Sequence, residues 1–196
     1  MSCWAIIPIK ATFDSKSRLA GVLEPDERQA LAVAMVGRVV AAAQASNAID
    51  RVCLLGPSRL GLSEDIPLLD DPGTGLNPAV SQALDQVATH APHRVIFIHG
   101  DLPLVSPDDL TALARVTGDS IAIAPDRHRT GTNALSLPLP EARGFAFAFG
   151  PDSFHLHKAE GDRLGLPVEV IESRGLESDI DEPDDYFAFC EAVGKV

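Results

Sequence analysis

Three aspartates and two basic loops carry the side chains of this chain that could do chemistry. Asp101 follows the apolar run Val95-Ile-Phe-Ile98 and then His99-Gly100, so it falls at the carboxyl end of a short strand, and Pro103 forbids regular pairing beyond it. An aspartate there commonly caps a helix or shapes a turn. Ser106 and Pro107, however, supply the N-cap and first position of the next helix, which leaves Asp101 free. A free carboxylate at a strand's end suits a divalent metal. Asp179 and Asp181 flank Ile180, and in an extended segment they share one face, a costly arrangement unless a cation lies between them. With Asp101 they make a candidate three-carboxylate site for magnesium. Lys10, Lys16 and Arg18 gather positive charge just beyond the opening strand. Such a loop can hold a polyphosphate, although loop cations are more often simply solvated.

A second basic loop, with Arg127, His128 and Arg129, precedes Thr132 and Asn133, whose hydroxyl and amide can grip a carboxylate or phosphate. In turns the same residue types are usually structural. Gly150-Pro-Asp-Ser153 opens a helix, and helix amino termini bind anions. The turn-rich Asp70–Pro78 loop has glycines that permit close backbone approach to a ligand, while Asn77 reads most simply as the cap of a helix starting near Pro78. His155 and His157 are two residues apart, point in different directions on a helix, and read as surface or packing residues. No Walker GxxxxGK[ST] or Rossmann GxGxxG motif is present, so kinase-like and dinucleotide-binding mechanisms have no support.

The elements that must position these groups alternate. Strands are expected over Cys3–Ile9, Arg51–Gly56, Val95–Ile98, Ser120–Pro125 and Pro167–Glu172. Helices are expected from Pro25, from Pro78 to about His90, after Pro107, after Gly150, and in a last helix capped by Asp184 and Asp185. Phe145-Ala-Phe-Ala-Phe149 alternates at period two like a half-buried strand, and Thr132–Phe149 reads as an antiparallel excursion near one edge. The pattern predicts a three-layer α/β fold with a mostly parallel sheet, forming a single domain over residues 1–196.

With 196 residues, 45% of them hydrophobic, the chain can bury a sizeable core. Its formal net charge of -12 argues against a nucleic-acid partner, which would need a basic surface. Any anionic substrate must therefore meet locally concentrated cations or metal. Cys3, Cys53 and Cys190 lack metal or redox spacing and read as reduced thiols. No run approaches a membrane span, no signal peptide is evident, and a cytoplasmic location without membrane association is expected. The oligomeric state is not legible.

In ordered combination, Pro8-Ile-Lys10, Lys16-Ser-Arg-Leu19, Gly75-Leu-Asn77, Gly100-Asp-Leu-Pro103, Pro125-Asp-Arg-His128, Gly131-Thr-Asn-Ala-Leu135, Phe149-Gly-Pro-Asp-Ser-Phe154 and Asp179-Ile-Asp181 resemble the 2-phospho-L-lactate guanylyltransferase family of coenzyme F-420 (deazaflavin) biosynthesis. The resemblance spans nearly the whole chain. It implies the single-domain nucleotidyltransferase fold related to GT-A enzymes, and transfer of GMP from GTP to 2-phospho-L-lactate, phosphoenolpyruvate or 3-phospho-D-glycerate with release of pyrophosphate. It further implies that Asp101, Asp179 and Asp181 hold Mg2+, that Lys10, Lys16 and Arg18 face the nucleotide phosphates, and that Gly75, Leu76 and Asn77 contact the nucleoside. Thr132, Asn133, Gly150 and Ser153 would grip the acceptor, and Asp101, Lys16 and Lys10 would serve catalysis. Arg129 stands where related members are expected to have glycine. Two other readings are a molybdenum-cofactor or sugar-phosphate nucleotidyltransferase, against which the opening strand lacks a GxGxRxG-like loop, and a non-catalytic nucleotide-binding regulator on the same scaffold.

Overall fold

The computed structural model describes residues 2–9 and 16–194. Its strands are β1 (Cys3–Pro8), β2 (Arg51–Leu55), β3 (Leu68–Leu69), β4 (Arg94–Ile98), β5 (Ile121–Pro125), β6 (Thr132–Pro138) and β7 (Val168–Val170). Its helices are α1 (Pro25–Ala45), α2 (Leu76–Ala88), α3 (Pro107–Ala114), α4 (Ser153–Leu164), α5 (Arg174–Glu177) and α6 (Pro183–Val193), with a short 3-10 helix at Ser17–Gly21. The strands form one sheet in the order β3-β2-β1-β4-β6-β5-β7, parallel except for β6, which runs antiparallel to both neighbours.

The unbroken apolar run of β4 follows from its place between β1 and β6 with a core on each face. Ile96 and Ile98 pack with Ile7 and with Val36, Val39 and Val40 of α1 and Leu110 and Leu113 of α3. Val95 and Phe97 face the other way, toward Ile6, Ala83, Leu84 and Val87 of α2 and Phe154 of α4. Each such side chain, wholly buried, contributes roughly 2 kcal/mol from removal of its apolar surface from water. The result is the expected three-layer, mostly parallel architecture.

Local signals set the helix starts. Ser106 Oγ accepts from the Asp109 N–H at 3.2 Å, and Asp109 Oδ2 accepts from the Ser106 N–H at 2.8 Å, so α3 is capped without Asp101. At α6 the capping falls to Asp185, whose Oδ2 accepts from the N–H groups of Asp181 and Glu182 at 3.0 and 2.8 Å.

Three expectations need correction. The antiparallel β6 is interior, paired to β4 on one side and β5 on the other, because every one of its residues is buried and an edge would expose one side. Residues 145–149 form no strand. Phe145 and Phe149 are buried and Phe147 partly so, but three of the N–H groups go to side chains, Ala146 to Glu160, Ala148 to His157 and Phe149 to Asn77, and Phe145 donates to the Ala142 carbonyl. Helix α2 begins at Leu76, two residues before Pro78, with Gly75 as N-cap at φ 111. Asn77 therefore lies inside the first turn and caps nothing. Gly100 lies in the turn after β4, and its lack of a side chain also serves packing, since a Cβ there would meet Val36 Cγ2 at 2.8 Å.

Candidate active site

The carboxyl ends of β1, β2, β4 and β5 open into a cleft of about 770 Å³, the usual ligand edge of an open α/β sheet. Asp101 reaches it from the turn after β4, and Asp179 and Asp181 reach it from the segment before α6. Between the two acids Ile180 points into the core against Leu19 and Met35, and its N–H donates to the Asp101 carbonyl at 3.3 Å. That alternation is what directs both carboxylates to one side.

The Lys16 ammonium donates to Asp101 Oδ2 at 2.7 Å and to Asp181 Oδ1 at 2.8 Å. Lys16 adopts a left-handed conformation (φ 60, ψ 36) at the entry to the 3-10 helix, and its side chain is 8% exposed. Burial alone would lower its pKa, but Asp101 and Asp181 outweigh this and hold it above the ordinary lysine value. Burial likewise pushes the Asp101 carboxyl up, and Lys16 and His99 pull it further down, leaving it below the usual carboxylate range. Asp179 is raised by burial and by the negative charges of Asp101 and Asp181, partly offset by the hydrogen bond from Asn133.

As they stand, no group of three or more His, Cys, Asp or Glu side chains among the described residues is arranged to hold a metal ion. A lysine bridges two of the three acids. The donor set nonetheless fits a hard divalent cation, being all carboxylate, and Asp101 Oδ1 is buried with no hydrogen-bond partner among the described residues.

The other predicted residues divide. Gly75, Leu76, Thr132, Asn133, Gly150 and Ser153 all line the cleft, as does Arg18, which is largely exposed and 3.8 Å from Glu182. Lys10 lies outside the described residues. Asn77 is not on the cleft wall. Its Oδ1 accepts from the Phe149 N–H at 2.7 Å and its Nδ2 donates to the Phe149 carbonyl at 3.0 Å, so it ties α2 to the Phe149–Gly150 turn. Asn133 spends its amide donors on the Leu176 carbonyl and on Asp179 Oδ1, at 3.0 and 3.2 Å, which anchors the acidic segment. Ser153 is 1% exposed, and its Oγ makes no hydrogen bond among the described residues; the α4 N-cap is Asp152, without a side-chain cap. Arg129 does not line the cleft. It takes φ 56, the conformation a glycine would adopt freely, pairs with Glu172, and lies 5.3 Å from the Phe154 ring centroid.

Two contributors lay beyond sequence reasoning. Arg127 pairs with Asp185, tying the β5–β6 loop to the start of α6 beside Asp181. The basic loop and the acidic helix start were each visible, but nothing local matched one to the other. His157 is fully buried and bonds Thr132 Oγ1 and the Ala148 N–H, at 2.9 and 3.0 Å. Its i, i+4 spacing from Ser153 was the available signal.

The fold is one that nucleotidyltransferases share. The chain is similar to a nucleotidyl transferase from Methanothermobacter thermautotrophicus, with a TM-score of 0.67 and 16% identity over 97% of each chain. It also matches a CMP:2-keto-3-deoxy-manno-octonic acid synthetase complexed with CTP, with a TM-score of 0.65 and 11% identity over 98% of each. In sequence, the family described as "Guanylyl transferase CofC like" matches residues 3–190. A phosphoenolpyruvate guanylyltransferase from Conexibacter woesei is 38% identical, covering 100% of this chain and 90% of the relative. One of the same description from Sphaerobacter thermophilus is 36% identical over 94% and 91%. A 2-phospho-L-lactate guanylyltransferase from Halorubrum lacusprofundi is 34% identical over 92% and 80%. The chain belongs to the guanylyl transferase CofC-like family and is an enzyme of the guanylyltransferase type. Its three cysteines are free, and no described helix is long and apolar enough to cross a membrane.

Proposed function

We propose that this enzyme transfers GMP from GTP to a small phosphorylated carboxylic acid, with release of pyrophosphate, as a step of coenzyme F-420 biosynthesis. The observation that carries the reading is that one cleft is lined both by the Lys16–Asp101–Asp181 cluster and by Thr132, Gly150 and Ser153. The cluster, with Arg18 and Lys10, serves the nucleotide triphosphate, and Gly75 and Leu76 approach the nucleoside. Thr132, Gly150 and Ser153 take the acid. Asp101, Asp179 and Asp181 would hold magnesium, which when bound offsets phosphate charge and favours attack at the α-phosphorus. No general base is required, because the attacking phosphate oxygen is already ionised at neutral pH. What the chain itself must do is bring two anions together and keep them in line, a matter of positioning and charge compensation.

Phosphoenolpyruvate is the first acceptor to test, since the most similar relatives named above carry it in their names. The assay is pyrophosphate release with magnesium, pairing GTP with phosphoenolpyruvate, 2-phospho-L-lactate and 3-phospho-D-glycerate in turn, then replacing GTP by ATP, CTP and UTP. A site that hydrogen-bonds the guanine edge leaves polar groups unpaired with another base, so GTP should lead clearly. Equal rates with all four nucleotides would overturn guanine selection, and no release with any acid would overturn the reaction.

A further inference from the structure

His157 lies on α4 one turn after Ser153, on the same helix face, and both are buried. Its ring joins two segments of the cleft wall. The Ala148 N–H donates to Nε2 at 3.0 Å, and Nδ1 lies 2.9 Å from Thr132 Oγ1. A backbone N–H can only donate, so Nε2 must be the accepting, unprotonated nitrogen. A neutral imidazole with that constraint carries its proton on Nδ1. Nδ1 then donates to the Thr132 oxygen, and the hydroxyl's own hydrogen must point elsewhere. Thr132 lines the cleft, and no other hydrogen bond uses its Oγ1 among the described residues.

We infer that His157 is a positioning residue for the acid substrate: as a donor to Thr132 Oγ1, it turns the Thr132 O–H into the cleft to donate to an anionic carboxylate or phosphate oxygen. This rests on the acceptor-side reading of Thr132 given above. The opposite tautomer would set Nε2–H against the Ala148 N–H, make Thr132 spend its hydrogen on Nδ1, and leave oxygen lone pairs facing an anion. Polarity of one ring thus decides whether that wall attracts or repels the substrate.

Two substitutions separate the ring's functions. An asparagine amide nitrogen stands near the place of Nδ1, so His157→Asn keeps a donor toward Thr132 and drops the bond to Ala148. A glutamine oxygen reaches toward the place of Nε2, so His157→Gln keeps the Ala148 bond and drops the donor. Steady-state kinetics of pyrophosphate release with phosphoenolpyruvate and GTP should give His157→Gln an acid KM about tenfold above that of His157→Asn. The two GTP KM values should differ by less than about twofold. In a Thr132→Val background, His157→Gln should add less than about twofold to the acid KM. Equal acid KM values for the two variants, or an undiminished effect in the Thr132→Val background, overturns the inference. Nitrogen-15 histidine spectra of the wild-type protein at neutral pH give an answer even where a variant does not fold: the Nδ1-protonated tautomer is expected, and the Nε2-protonated form or the imidazolium overturns it. Turnover in the wild type with a null result for His157 removes this inference alone, whereas no turnover with any acid removes the proposed reaction and this inference together.

Discussion

Lys16 Nζ lies 2.7 Å from Asp101 Oδ2 across 85 residues of sequence, and the same ammonium reaches Asp181. This contact joins the basic entry loop to two of the three acids, so charge at Asp101 holds Lys16 and, in the proposed reaction, would also offer oxygens to a cation.

Asp101→Asn removes that charge while keeping shape. Turnover should fall by at least about a hundredfold, equivalent to several kcal/mol of transition-state stabilisation, with the fold retained. Pyrophosphate release at limiting magnesium, beside a circular dichroism spectrum, checks it; near-normal activity in a folded variant would remove Asp101 from the site. The pair also links to stability. Lys16, raised above its usual value, contributes stability that is lost as pH rises through its folded pKa, and Asp101, depressed, contributes stability that is lost as pH falls through its own.

Ser153→Ala and Thr132→Val should each weaken apparent acid affinity by roughly tenfold, about 1.4 kcal/mol, with little change in GTP binding. Ser153 Oγ has no capping bond to lose, so its substitution should cost less stability than the usual cap removal of about 1 kcal/mol. Titration calorimetry with GTP and kinetics in the acid separate the outcomes. A loss confined to GTP binding would take both residues out of the acceptor wall.

How much of this was readable in advance depends on the range of the cause. The buried run of β4, the Ser106 cap and the alternation around Ile180 are local patterns, and each produced the expected geometry. Residues 145–149 misled because period-two burial reports an extended chain on a core, whichever groups satisfy its backbone. Asn77 misled for the same reason: a capping residue type was present, but Phe149, 72 residues away, took both ends of its amide. Likewise the Arg127–Asp185 tie and the bonds of the His157 ring to Thr132 and Ala148 are meetings of distant segments, and the spacing of His157 from Ser153 marks a shared helix face without naming those partners.

Asn77→Ala leaves the Phe149 N–H and carbonyl without those partners, which costs about 1–3 kcal/mol where such groups are shielded from water. Because Gly150 and Ser153 follow directly, the acid KM should rise as well. Thermal unfolding together with acid kinetics tests this, and a variant as stable as the wild type would show that the Phe149 turn holds without Asn77.

Arg129→Gly relieves a left-handed arginine, worth about 1–2 kcal/mol, and gives up an exposed ion pair and a contact over Phe154 of about 0.5–1 kcal/mol. These nearly cancel, so stability should move by less than about 1 kcal/mol. Since Arg129 does not line the cleft, the ranking of phosphoenolpyruvate, 2-phospho-L-lactate and 3-phospho-D-glycerate should be unchanged. A switched ranking would show that this position reaches the acceptor indirectly.

His157 offers the clearest pH dependence. Burial, aided by positive charge on His99 and only partly opposed by Glu160, lowers its pKa from 6.5 to about 4. The folded state therefore resists protonation that the unfolded chain accepts freely. The sign follows: above pH 6.5 both states are neutral and the full stability is present, and as pH falls from 6.5 toward 4 the unfolded chain alone gains a proton, so stability is lost. That gap corresponds to roughly 3 kcal/mol at most. Urea unfolding of the wild type between pH 7.5 and 4 should fall more steeply than that of His157→Gln, which has no group to titrate there. Carboxylates common to both proteins cancel in the difference, so parallel curves would mean that His157 titrates alike in the folded and unfolded chain, and that its ring is not held neutral between Thr132 and Ala148.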